Sequence, residues 1–164
     1  MDATELQIRA FDPADRDAVV EVSLRAWEPV FASTRRVLGA EIDDRLHRPE
    51  WRTFQARAVE EACDSHTVTM WVAELDGQVR GFVGVELYAE RLVGEIYMLA
   101  VDPDVQARGL GSALTEHAHS EMANAGMALA MVETGGDPGH APARATYEKA
   151  GYTALPIVRY FKLL

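Results

Sequence analysis

Val101-Asp102-Pro103-Asp104-Val105-Gln106-Ala107-Arg108-Gly109-Leu110-Gly111 joins a run of strand formers to a helix. The preceding Glu95-Ile96-Tyr97-Met98-Leu99-Ala100-Val101 reads as a sheet strand, and Asp102-Pro103 stops it because proline has no N–H to offer a ladder. From Gly109 to Ala125 small and apolar residues recur at helical spacing, Gly126 stands where a C-terminal cap belongs, and residues 127–134 read as another strand. Strand, helix and strand in succession form a crossover unit, which predicts that residues 95–101 and 127–134 lie parallel. Gly109 and Gly111 would let the backbone approach a ligand, and the helix start adds free N–H groups and about half a positive charge, a setting for pyrophosphate that Arg108 can strengthen. On the glycines alone, a plain flexible connection is an equal alternative. A P-loop is disfavoured because Gly-Lys-Ser/Thr is absent, and a dinucleotide turn because Leu114 stands where a third Gly or Ala is needed.

Upstream, residues 6–10 alternate as a half-buried strand, and Asp12-Pro13 supplies an N-cap followed by proline for a helix carrying Val19, Val22, Leu24 and Trp27, which Pro29 is expected to end. Ile42 and Leu46 suggest a short helix, and Pro49 a second with Phe54, Ala58, Val59 and Ala62. The period then changes to that of strands: residues 67–75 and 78–88 flank Asp76-Gly77, a hairpin turn. Downstream, Gly135-Gly136-Asp137-Pro138-Gly139 is a loop, residues 141–150 a short helix ended by Gly151, and residues 157–163 a last strand. These elements predict a mixed α/β (α+β) sheet, antiparallel in its first half with a parallel join in its second.

The 164 residues, 48% hydrophobic, suit one domain over residues 1–164. No apolar run approaches the roughly 20 residues that span a bilayer, and Met1-Asp2-Ala3-Thr4-Glu5 is acidic where a signal peptide is basic, so the chain reads as cytoplasmic and free of membrane. A net charge of −10 without a Lys/Arg cluster argues against nucleic acid, and favours a cationic partner only weakly, since surface acidity also serves solubility. Cys63, the single cysteine, reads as a small helix residue with no metal site around it. An exposed strand near residues 157–163 leaves monomer and homodimer both open.

The run Val101-x-Pro103-x-x-Gln106-Ala107-Arg108-Gly109-Leu110-Gly111-Ser112-Ala113-Leu114 resembles the acetyl-CoA motif of the GNAT acyltransferase superfamily, in which Gln/Arg-x-x-Gly-x-Gly/Ala follows the fourth strand. Ala143-Arg144-Ala145-Thr146-Tyr147-Glu148-Lys149-Ala150-Gly151-Tyr152 resembles the family's later helix, whose Tyr is followed four residues on by Gly and an aromatic. Two motifs in this order are far more specific than either alone, and the order of elements agrees from the first strand to the last. The resemblance implies a central mixed sheet of six or seven strands with flanking helices and a splayed parallel pair. Acetyl-CoA is the implied cosubstrate: pantetheine would pair with the backbone of Leu99, Ala100 and Val101, and pyrophosphate would meet the N–H groups of Gln106, Ala107, Arg108, Gly109, Leu110, Gly111 and Ser112. Ala143 lies on the same helix. His140 stands where many relatives carry an Asn that contacts pantetheine; a helix cap is the equal alternative.

Acetyl transfer to an amine needs a base for the alkylammonium and an acid for the departing thiolate. By resemblance Tyr147 is the acid, and Glu95 aligns with a carboxylate that some relatives use as base, directly or through water. The backbone near Leu99 would polarise the thioester carbonyl. The acceptor cleft is implied near the first helices, directing attention to Trp27, Phe31 and Tyr88, each equally readable as core. The acceptor would be a small-molecule or peptide amine. The resulting reading is an N-acetyltransferase acting by direct attack in a ternary complex, with a non-catalytic CoA-binding sensor as the alternative.

Overall fold

A computed structural model describes residues 6–164, so the Met1–Glu5 reading lies outside the described residues. Strand β1 (Leu6–Ala10) leads through a short 3-10 turn into helix α1 (Arg16–Leu38), then α2 (Ala40–Leu46) and α3 (Trp51–Asp64). Strands β2 (Val68–Leu75), β3 (Gln78–Tyr88) and β4 (Val93–Val101) follow, then α4 (Leu110–Asn124), β5 (Leu129–Val132) and α5 (Ala141–Lys149). The five strands lie in sequence order, antiparallel from β1 to β4, with β5 parallel to β4. The expected hairpin forms at Asp76 (φ 54°) and Gly77 (φ 73°), both left-handed as a two-residue turn between twisted strands requires.

Each sheet face is covered. Ala73, Val83, Val85 and Ile96 pack under α4 through Leu110, Leu114, Ala118 and Met122. On the other face Met70, Val72, Phe82, Met98 and Ala100 meet Val19 and Val22 of α1 and Val59 and Ala62 of α3. Ile96 and Met98 share strand β4 at a spacing of two, yet belong to opposite faces. The cause is a bulge: Gly84 pairs with Met98 while Val85 pairs with Ile96, leaving Tyr97 without a partner.

Three expectations are corrected. Pro29 does not end α1, which runs to Leu38 with the proline inside it. Its second half is held by tertiary contacts: Phe31 stacks on Trp51 with centroids 4.9 Å apart, and Ser33 bonds into the loop before α5. Among the described residues the sheet has five strands, not six or seven, because residues 152–164 form no strand. Pro156 lacks an N–H, and adjacent apolar pairs such as Ile157-Val158 and Tyr160-Phe161 point to both sides, so no single face is specified for burial; Ile157, Val158 and Tyr160 are exposed. β5 is also shorter than expected, since Met127 donates its N–H to the Met122 carbonyl (3.0 Å) and closes the α4 cap. Among the described residues, no helix is long and apolar enough to cross a membrane.

Candidate active site

Beyond Val101 the chain is held by a buried carboxylate. Asp102, 3% exposed, accepts from the Asp104 N–H (2.9 Å), from Arg25 of α1 (2.9 Å) and from Arg80 of β3 (3.0 Å). Burial alone would lift its pKa, but these donors outweigh it and hold the carboxyl below its ordinary value. Gln106 then donates its side-chain amide to the Val101 carbonyl (3.1 Å), folding the loop back on the strand end. Ala107 and Gly109 turn left-handed, at φ 62° and 87°, and α4 starts with no side chain capping its first N–H groups. Those N–H groups and the helix dipole make an anion-binding end. A Cβ on Gly111 would make only ordinary 3.9 Å contacts with Thr146 and Val101, so the protein itself has room there.

β4 and β5 pair over only four positions, Val93–Leu129 to Ile96–Val132, and then diverge. The remainder of β4 is paired on its β3 side alone, and its open edge borders a cleft of about 450 Å³. Leu99, Ala100 and Val101 form one wall, and Gln106, Ala107, Gly109, Leu110, Gly111 and Ser112 the end of the cleft. Trp27 closes it from α1, and Ala143 and Tyr147 from α5. Tyr147 is 9% exposed, and burial, with nearby Tyr152 adding to it, pushes its phenol up to about 12, so it carries its proton at neutral pH. Its ring meets that of Tyr152 edge-on at 5.7 Å, and the Tyr152 hydroxyl is hydrogen-bonded to His119 Nε2 (2.8 Å).

The other expected residues lie outside the cleft lining. Arg108 is exposed on the loop. His140 is hydrogen-bonded through Nδ1 to Asp137, whose carboxylate also accepts from Ser33 (2.6 Å) and from the Gly139 N–H (3.1 Å). Burial would raise the Asp137 pKa, but Ser33, His140 and Gly139 hold it below its ordinary value. Phe31 is buried between Trp51 and His47. Glu95 lies on the α1 side of the sheet, since its neighbours Gly94 and Ile96 face α4. Tyr88 donates its hydroxyl to Glu95 Oε2 (2.7 Å), with Glu86 Oε2 at 3.1 Å. Cys63 is half-buried and its thiol is pushed up by burial, which makes it a poor nucleophile.

Asp102 was legible only as a strand stop, although a carboxylate before proline is also a cap; its arginines come from sites far away in the chain. The Ser33–Asp137 link was likewise out of reach. The loop glycines marked it: a Cβ on Gly139 would lie 2.5 Å from Ser33 Cβ, and one on Gly135 2.4 Å from His140 Nδ1.

A model of the Acetyltransferase (GNAT) family matches residues 25–152. The mycothiol acetyltransferase of Streptomyces coelicolor is 29% identical over 154 residues, covering 90% of this chain; the chain spans 42% of that relative's length. The ribosomal-protein-S18-alanine N-acetyltransferase of Escherichia coli superposes with a TM-score of 0.67 at 21% identity, over 93% of this chain and 80% of that one. A GNAT family acetyltransferase from Brucella melitensis, solved in complex with acetyl-CoA, gives 0.62 at 19% identity, over 93% and 85%. At such identities the solved structures establish a shared fold.

Proposed function

Because the chain belongs to the Acetyltransferase (GNAT) family, we propose that it transfers an acetyl group from acetyl-CoA to a primary amine by direct attack in a ternary complex. The observation that carries this reading is the cleft itself: one edge of β4 left open by the splay, a backbone-rich anion site at its end, and a protonated, buried tyrosine in its wall. The residues fit acetyl-CoA. Leu99, Ala100 and Val101 offer unpaired strand backbone to pantetheine, and the N–H groups from Gln106 to Ser112 offer donors to pyrophosphate. Arg108 adds charge from the rim. The Asp137–His140 pair lies beside Gly139, which lines the cleft, and holds the loop there against α1.

In the proposed step, Glu95 takes a proton from the acceptor ammonium, directly or through water, and the freed nitrogen lone pair attacks the thioester carbon. As the tetrahedral adduct collapses the C–S bond breaks, the thiolate takes a proton from the Tyr147 hydroxyl, and the nitrogen's surplus proton passes through water to the Tyr147 phenolate. This leaves a neutral amide, the CoA thiol and a protonated Glu95 that returns its proton to solvent. Trp27 and Tyr88 border the acceptor side, and Phe31 backs it. The acceptor is a small-molecule or peptide amine. The Streptomyces coelicolor relative is a mycothiol acetyltransferase, which supports including mycothiol-related amines in the panel of acceptors. The enzyme would act in the cytoplasm, as one domain, monomeric or paired, without nucleic acid or metal.

A thermal-shift titration with acetyl-CoA, CoA and an adenine dinucleotide, followed by thiol release across a panel of amines, tests the proposal. Stabilisation by both CoA species with amine-dependent release is expected. Binding without release from any amine would favour a CoA sensor, and no stabilisation would overturn the account of the loop.

A further inference from the structure

Glu86 and Glu95 are register partners on β3 and β4, so their carboxylates face the same side of the sheet at neighbouring positions. Tyr88 stands two residues beyond Glu86 on that face, diagonal to Glu95. Its phenol reaches back over both, placing one O–H proton 2.7 Å from Glu95 Oε2 and 3.1 Å from Glu86 Oε2. A hydroxyl has a single proton to give, and the shorter contact marks Glu95 as its main acceptor. Among the described residues, Glu95 Oε1 has no hydrogen-bond partner, and it is not one of the buried atoms left unpartnered.

We infer that Tyr88 is a positioning residue: its hydroxyl binds one oxygen of Glu95 and turns the other, Oε1, toward the acceptor amine. The inference rests on the acyl-transfer reading and on Glu95 as base, and gives Tyr88 a role through that carboxylate. Two like charges on adjacent strands repel, and without a donor between them the Glu95 carboxylate would swing away from Glu86. Tyr88 keeps its proton under assay conditions, because the bond to Glu95 first, then desolvation and Glu86, raise its pKa further above the phenol value. The group facing Glu95 from β5 is Met131, which is uncharged; from β3 they are Glu86 and Tyr88.

The test is the pH profile of kcat/KM for acetyl transfer in the intact protein and in Tyr88→Phe, Glu86→Gln and Glu95→Gln. Phenylalanine preserves the ring and removes only the donor. It should lower kcat by roughly ten- to a hundredfold, leave KM for acetyl-CoA within about twofold, and move the acid limb up by about one pH unit. Glu86→Gln removes the like charge and should move that limb the opposite way, a sign reversal that loss of packing cannot produce. Loss of the limb in Glu95→Gln, with Tyr88→Phe superimposed on the parent, would overturn the positioning role alone. A limb that survives Glu95→Gln would overturn Glu95 as base and this role with it. No thiol release from the parent with any amine would overturn acyl transfer itself, and the inference too.

Discussion

Replacing Asp102 by asparagine isolates the charge that holds the cofactor loop. Asparagine keeps the side chain's size and an oxygen for the Asp104 N–H, but removes the negative charge shared by Arg25 and Arg80 at 2.9 and 3.0 Å. A hydrogen bond to a charged group is worth about 1.5–3 kcal/mol in a protein. The two arginine side chains are 35% and 29% exposed, so water already supports them, and each bond is discounted to about 1 kcal/mol. Arg25 also retains Asp104 (2.8 Å) and Arg80 retains Gln78 (2.7 Å), which limits the loss further. The expected cost is therefore at most about 2 kcal/mol, a fall in Tm of no more than roughly 4–8 °C for a chain of this size. The pH dependence has a definite sign. Asp102 is held below its ordinary value in the folded state, so its contribution is full above the unfolded pKa, about 3.9, and is lost as pH falls through the lower folded value. Urea unfolding of both proteins from about pH 3.5 to 7 should therefore show a gap that narrows only toward the acid end. A gap under about 0.5 kcal/mol at neutral pH, or one unchanged in acid, would refute the account.

Tyr147→Phe should lower kcat by roughly 10²–10⁴-fold with acetyl-CoA affinity nearly unchanged; steady-state kinetics with calorimetry reads both, and intact turnover would remove Tyr147 as the acid. Gly94→Ala would place a Cβ 2.5 Å from Met122 Cγ in the buried α4 interface, a loss of about 1–3 kcal/mol in chemical denaturation; a neutral result would contradict that close approach. Burial lifts the Tyr147 phenol from 10.0 to about 12. The folded chain keeps this proton after the unfolded chain has lost it, so stability should be undiminished below about pH 10 and fall by roughly 2 kcal/mol through pH 12. Tyr147→Phe should remove that share of the alkaline fall in pH-dependent denaturation and leave the share of Tyr152, whose phenol burial also pushes up to about 12.

What was legible in the chain follows from how local its causes are. The hairpin at Asp76-Gly77, strand β4, the glycine loop and helices α4 and α5 are each announced by a turn residue or a period within a few positions. The continuation of α1 through Pro29 was hidden because the forces that hold it come from Trp51 and the loop before α5. Residues 157–163 carry strand-forming side chains, yet strand propensity is realised only where a partner and a burial face exist, and neither is met there. At the site, the backbone-lined part of the cleft was readable from Gln106 to Ser112 because glycines betray it. The Asp102, Ser33–Asp137 and Tyr88–Glu95 links join positions far apart in the chain or across strands, and no periodicity encodes such pairs.

The four-position join between β4 and β5 also sets how firmly the last part of the chain is tied to the rest. Amide hydrogen exchange should reveal a gradient: β2, β3 and the β3-facing amides of β4 open only with global unfolding, whereas β5 and α5 open at lower cost as a separate cooperative unit. A ligand lying along the free edge of β4 and against α5 would bridge the two units, so its binding free energy would appear as slower exchange in β5 and α5, with little change in the hairpin.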